Sequence, residues 1–244
     1  LGLVDSIKKI FTEFIHKNLD ENINVPVYKK KIPESLYRKP CSGKILGVSA
    51  SRYTITALQI KRAEKSNLAR TVKINIRDFL DPKMEEISDK EIFTNLSNSG
   101  YFNSSEFKII LGKNLKTIIS VLKDSNVFIV PEVNKKLREK KIEKIILKIF
   151  SCIFSELFSQ NYSISAQEKN ICRDIKRLIL IGGETSFHLL KALGTRTVQV
   201  KGKIESGIDY GFILDGQLVG KELLIKGGSV GDKCAINQMI CHCF

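Results

Sequence analysis

The sequence predicts an α/β fold: a mostly parallel sheet with helices on both faces, a Rossmann-like three-layer sandwich. Two observations carry this prediction. Short apolar runs of strand length alternate with longer segments whose apolar residues recur at helical spacing, the order that yields parallel strands joined by crossover helices. At one place the succession is explicit. The run 178–181 ends at Gly182 and Gly183, and Glu184, Thr185 and Ser186 then open a helical segment. A strand, a glycine turn and a helix N-terminus in succession expose backbone N–H groups at the positive end of a helix dipole, a natural anion site.

Taken in order, residues 1–17 read as a helix, since Leu3, Ile7, Ile10, Phe11, Phe14 and Ile15 fall at helical spacing. Leu1 is not an initiator methionine, and the chain is expected to be a fragment of something longer. Pro26, Pro33, Pro40 and the run Lys29-Lys30-Lys31 predict an extended, solvated connection over 18–43. A compact domain is expected from 44 to 244, with its first strand at 45–49 and its first helix at 54–62. Residues 71–76 alternate with the period of a half-buried strand. Residues 81–105, rich in Asp, Ser and Asn, are expected as irregular loops with a short helix. Helical spacing returns at 113–122 and leads to a strand at 127–130, stopped by Pro131. Residues 135–158 form a long amphipathic helix with Ile142, Ile145, Ile146, Ile149, Ile153 and Leu157 on its buried side. The strand 178–181 and the helix 185–193 follow. Strands near 197–200, 211–214 and 222–225 come next, and a last helix lies beyond the glycine-rich run 226–231. In such sheets, ligands sit beyond the C-terminal strand ends, at a topological switch.

With 244 residues, 43% hydrophobic and 27% charged, the chain suits one large α/β domain with a sizeable core built without Trp. The most apolar stretch, 142–158, is interrupted by Lys144, Lys148 and Glu156, so no membrane span is expected. No signal peptide is visible, and the cysteines lack disulfide-framework spacing, which fits a reducing cytoplasm. Cys152 lies in an apolar helical pattern and reads as a small packed hydrophobe. The tail Cys241-His242-Cys243 has no second cluster and is too sparse for a structural zinc site. The net charge of +14 raises the question of a nucleic-acid partner. The lysines are scattered singly and in short runs, and no nucleic-acid motif accompanies them, so no such partner is expected.

Three loops follow predicted strands and precede helices: Ser49-Ala50-Ser51, Gly182-Gly183-Glu184-Thr185, and Gly227-Gly228-Ser229-Val230-Gly231. In a parallel sheet they share one edge and can surround one ligand. Neither GxxxxGK[ST] nor GxGxxG is present, so this is neither a P-loop nor a standard dinucleotide-binding domain. Ser51 and Thr185 can each give a hydroxyl to phosphate or serve as an N-cap. Lys226 can neutralise a phosphate or stand solvated at a strand end. Glu184 beside a phosphate is repulsive unless Mg²⁺ or a ribose hydroxyl intervenes, and is otherwise a favourable first-turn charge. His188 falls inside a helix, His16 and His242 carry no signal, and no Ser/His/Asp or Cys/His arrangement emerges.

The ordered motifs resemble the C-terminal nucleotide-binding domain of the four-carbon acid sugar kinases. That family has a GGETS or GGDTS turn, an ExxPG segment and a late KSGxFG loop, to which 182–186, 203–207 and 226–231 are similar. Residues 50–60 resemble its GSxxPxTxxQI element, so the likeness runs from about Lys44 to Ile240. Leu1-Gly2-Leu3 with its helix resembles the segment that closes the family's substrate domain. The chain departs from the pattern at Lys203 (glutamate in the family), Ser206 (proline), Gly227 (serine), Val230 (phenylalanine), Ala50 (glycine) and Thr54 (proline).

The resemblance implies an ATP-binding domain, used with Mg²⁺, of a kinase that transfers a γ-phosphoryl group to a small acid sugar of the threonate, erythronate or 3-oxo-tetronate kind. It implies that Gly182, Gly183, Thr185 and Gly228 meet the phosphates, mainly through backbone N–H groups. Ser51 would add a hydroxyl, Lys226 a charge, and Glu184 a Mg²⁺–water or ribose contact. Residues 1–43 would be the remnant helix and linker of the preceding substrate domain. The rest of that domain, with the sugar site and general base, is missing, so this chain is expected to hold nucleotide without phosphorylating a sugar alone. An interface exposed by the missing domain leaves a homodimer open. The alternative is a non-catalytic nucleotide or phosphometabolite binding module.

Overall fold

Apolar side chains point to both faces of the central strands, and helices cover both. The computed structural model describes residues 43–51, 53–80, 102, 104–132, 140–159 and 166–242. The expectations for 1–42, 81–101, 135–139 and Cys243 lie outside them. The described strands are β1 Lys44–Ser49, β2 Arg70–Asn75, β3 Val127–Glu132, β4 Ile175–Ile181, β5 Val198–Glu205, β6 Ile208–Ile213 and β7 Glu222–Lys226. They form one sheet in the order β2-β3-β1-β4-β7-β6-β5. The first five in that order are parallel, and β6 and β5 add an antiparallel end. The predicted fold class is the one observed.

Side chains alternate between the faces with period two. Leu178 and Leu180 of β4 join one core while Ile179 and Ile181 join the other, and β1 divides likewise, Leu46 and Val48 against Ile45. The described helices are α1 Thr54–Lys65, α2 Ser105–Asp124, α3 Lys140–Phe158, α4 Ala166–Arg173, α5 Gly183–Ala192 and α6 Ala235–Cys241. α1 and α6 cover one face through Ile60, Ala63, Ile236, Met239 and Ile240. α2, α3, α4 and α5 cover the other, where the larger core lies. The six apolar residues anticipated on the buried side of α3 are all buried. Each stabilises the fold by about 1.5–3 kcal/mol relative to exposure.

Several boundaries differ from expectation for local reasons. α2 begins well before residue 113, because Ser104 caps it by accepting a hydrogen bond from the Phe107 N–H at 3.1 Å. β3 continues through Pro131 to Glu132. It pairs with β1 only as far as Ile129, so the missing N–H of Pro131 removes no bond to β1. α4 was not anticipated, since its sequence is mostly polar; among its described side chains Cys172 is the one buried apolar member of the core. α1 leaves β1 toward one face and α5 leaves the adjacent β4 toward the other. The crevice between these two strand ends is the topological switch of the sheet.

Candidate functional site

The ends of β1, β4 and β7 are level. Ser49 pairs with Ile181, and Ile181 with Lys226, so three adjacent parallel strands finish in register. The three anticipated loops therefore leave the sheet side by side, at the switch.

The central loop is built around Gly182, which caps α5 with φ of 102°, a left-handed backbone that favours glycine. Its N–H donates to the carbonyl of Lys226 at 2.8 Å, which ties the β4 loop to the end of β7. Its carbonyl accepts from the N–H and the Oγ of Ser186, both at 2.9 Å. The first-turn N–H groups of Gly183, Glu184 and Thr185 have no intrahelical acceptor. A Cβ added at Gly183 would meet nothing within 4 Å, so this helix end faces open space. Thr185 is buried in the first turn. Glu184 is exposed, its carboxylate 3.6 Å from His188 Nε2 one turn on.

Neither hydroxyl residue is an N-cap. Tyr53 caps α1 without a side-chain bond and Gly182 caps α5. Ser51 instead organises its own loop: its Oγ accepts from the Tyr53 N–H at 3.3 Å, and its N–H donates to Ser49 Oγ at 3.1 Å. The third loop packs against it. A Cβ at Gly228 would lie 2.9 Å from Ser51 Oγ and 2.8 Å from Tyr53 Cδ2, so the close approach requires glycine.

Lys226 is not the solvated strand-end lysine that was one expectation. It is 0% exposed, and its Nζ donates to the Gly227 carbonyl at 2.7 Å. Burial pulls its pKa down from 10.5 to about 8, opposed in part by the charge of Glu205. Ser51, Gly182, Gly183, Glu184, Thr185, Lys226 and Gly228 thus all stand at one sheet edge.

Three residues of this edge were given no site role from the sequence, although Thr56 and Gln59 stand at the threonine and glutamine of the GSxxPxTxxQI element. Thr56 Oγ1 donates to the Gly228 carbonyl at 2.5 Å. Gln59 Nε2 lies 3.1, 3.1 and 2.5 Å from the carbonyl oxygens of Val230, Gly231 and Asp232. The buried stripe of α1 is Thr56, Gln59, Ile60 and Ala63, so two polar residues occupy core positions. Buried polar groups need partners, which together with the motif positions was the available signal. The third is Glu205, whose Oε1 is buried without a hydrogen-bond partner and lies 2.7 Å from where a Cβ at Gly231 would stand. The Gly227 N–H donates to the Gly207 carbonyl at 3.1 Å, which brings the β5–β6 turn to the same place. All four motif segments therefore converge.

Among the described residues, no group of three or more His, Cys, Asp or Glu could hold a metal ion. No helix among them is long and apolar enough to cross a membrane. Cys152 is half-buried against the core as expected, and burial pushes its thiol pKa up.

A sheet with helices on both faces and three loops converging at its switch point puts a candidate ligand site at that edge. Residues 161–236 match the model of the family described as nucleotide-binding C-terminal domain. None of the curated proteins matches this chain.

Similar solved structures include a Bordetella bronchiseptica protein described as a domain of unknown function (DUF1537), with bound citrate, as a domain-swapped dimer. It is 11% identical, with a TM-score of 0.56 over 81% of this chain and 40% of that one. A second crystal form of that protein aligns at 14% identity and a TM-score of 0.52, over 82% and 39% of the two chains. A Haemophilus influenzae protein also described as DUF1537 is 16% identical, with a TM-score of 0.50 over 80% and 39%. These likenesses bear on the fold. The chain spans about 40% of the length of the first of these structures.

Proposed function

We propose that this chain is the ATP-binding part of a kinase that transfers the γ-phosphoryl group to a four-carbon acid sugar, threonate- or erythronate-like or a 3-oxo-tetronate. The observation that carries the reading is the level exit of three loops from β1, β4 and β7, with the N-terminus of α5 open at Gly183. A polyphosphate suits that place, because N–H groups without acceptors and a helix dipole favour negative charge there.

In this reading, the backbone of Gly182, Gly183, Thr185 and Gly228 cradles the phosphates. Ser51 adds a hydroxyl and Lys226 a positive charge. Glu184, exposed on the first turn of α5, suits a water-mediated contact with Mg²⁺ or a ribose hydroxyl. One carboxylate there fits a Mg²⁺ that arrives on the nucleotide rather than in a protein cage. When bound, Mg²⁺ neutralises charge on the β- and γ-phosphate oxygens. Thr56 and Gln59 hold the 227–232 loop in place. The acceptor sugar and its general base belong to a further domain. The citrate bound by the Bordetella bronchiseptica protein accords with an anionic substrate, and its dimeric state with a homodimer here.

Calorimetry with ATP–Mg²⁺ on the folded chain tests the reading, and absence of binding overturns it. Gly183→Val should leave the fold intact, since its side chain enters open space, and should weaken ATP by about tenfold or more. Unchanged affinity in that variant would remove the assignment of this turn to the phosphates.

A further inference from the structure

Asp209, near the start of β6, is a carboxylate buried to 8% exposure. Among the described residues its side chain takes part in no hydrogen bond and no ion pair. Buried carboxylates ordinarily have such partners. Its place is the edge where the three loops leave the sheet. β6 runs antiparallel to β7, so the start of β6 meets the end of β7: Ile208 pairs with Lys226 and Asp209 with Ile225. Ile225 pairs in turn with Leu180 of β4, just before Gly182. Leu180 and Ile225 belong to the core beneath α5, while Ile208 and Tyr210 pack with the opposite core. Side chains alternate along β6, so Asp209 lies on the α5 face. Two strand spacings place it roughly 10 Å across the sheet from Leu180.

The simplest account of this carboxylate is a cross-strand pair with Lys203, which stands opposite it on β5. No ion pair closes between them. Lys203 is exposed, and its charge only partly offsets the burial that pushes the Asp209 carboxyl up. A desolvated carboxylate with spare acceptor capacity calls for a neutral donor. A nucleotide offers two kinds, its ribose hydroxyls and the amino group of its base. The position favours the ribose: in dinucleotide-binding sheets an acidic side chain beside the phosphate-binding turn takes that hydroxyl.

We propose that Asp209 accepts hydrogen bonds from the ribose hydroxyls of a nucleotide whose phosphates lie at Gly182 and Gly183. The proposal rests on the nucleotide-binding reading above and adds the residue that recognises the sugar. Glu184 is then left to the water-mediated contact with Mg²⁺.

Titration calorimetry with the Mg²⁺ complexes of ATP and of dideoxy-ATP, which lacks both ribose hydroxyls, is the test, on wild type, Asp209→Ala and Asp209→Asn. Wild type should bind dideoxy-ATP about tenfold or more weaker than ATP, the loss expected of hydrogen bonds to a charged acceptor. Asp209→Ala should weaken ATP by a similar factor, and Asp209→Asn, which keeps one acceptor, by less. Neither variant should weaken dideoxy-ATP further, because the partner hydroxyls are already gone. Both keep the fold, since neither breaks a side-chain hydrogen bond among the described residues. A structural role, or a contact with the amino group of the base, would weaken both nucleotides alike. That result, unchanged ATP affinity in both variants, or equal affinity of wild type for the two nucleotides would each overturn the proposal and leave the ATP reading standing. Absence of ATP binding by the folded wild type overturns both.

Discussion

Lys226 is a charged side chain with no surface, whose ammonium bonds to the carbonyl of the next residue. Its folded pKa of about 8 lies below the ordinary 10.5, so between those values the unfolded chain holds a proton that the folded chain has released. Stability therefore rises with pH across that window, and the cost of burying the charge is fully present below it. The shift corresponds to about 3 kcal/mol. Lys226→Met should recover up to that amount at pH 7 and flatten the rise between pH 8 and 10.5 in urea unfolding. Parallel wild-type and variant profiles would show that the lysine carries no such cost. A residue that destabilises the fold and yet stands among the loops of the candidate site is what a functional site leads one to expect.

At the scale of elements, α1 matters less as a helix than as a brace. The two N–H groups of Gln59 Nε2 are shared among three backbone carbonyls of the 227–232 loop from a fully buried position. Gln59→Leu keeps the bulk and removes the donor. Unfolding should become easier by about 1–3 kcal/mol, the penalty of buried unsatisfied groups. Amide exchange in residues 227–232 should quicken, and ATP binding should weaken with it. Exchange unchanged from wild type would mean that the loop holds itself. The strands and α3 were legible because their apolar periodicity is local. Ser104 as the start of α2 was hidden in a run of Asn and Ser, where any of several residues could cap. Gln59 was visible as a polar residue on an apolar stripe, but its partners lie more than 170 residues away, and nothing local names them.

For the whole molecule, alternation of elements announced a parallel sheet, while the neighbours of each strand were beyond local pattern. That β1, β4 and β7 are adjacent and level follows from both cores closing together, and this is what turns three ordinary loops into one site. Arg177 secures the assembly from the other end. It is buried in β4 and paired to Glu222 of β7 at 2.7 Å. It also donates to the carbonyls of Met239, Ile240 and His242 at 2.9, 3.0 and 2.8 Å, which fastens the end of α6. Arg177→Met should cost about 3–5 kcal/mol in thermal or urea unfolding, because it strands Glu222 and those carbonyls together. Adding Glu222→Gln should return part of the loss, and no recovery would mean that the carbonyls, not the carboxylate, carry it.

The sheet also has a margin. Among the described residues β5 hydrogen-bonds on one side to β6 and ends the strand order, and its register slips twice, between Val200 and Gly202 and between Lys203 and Glu205. Lys201 and Lys203 are exposed along it. A long, flat, apolar rim invites another copy to add strands indefinitely. An irregular rim carrying lysines repels its own likeness and offers no straight ladder to extend. Fibre-like growth of copies of this domain from this rim is therefore discouraged in the backbone itself.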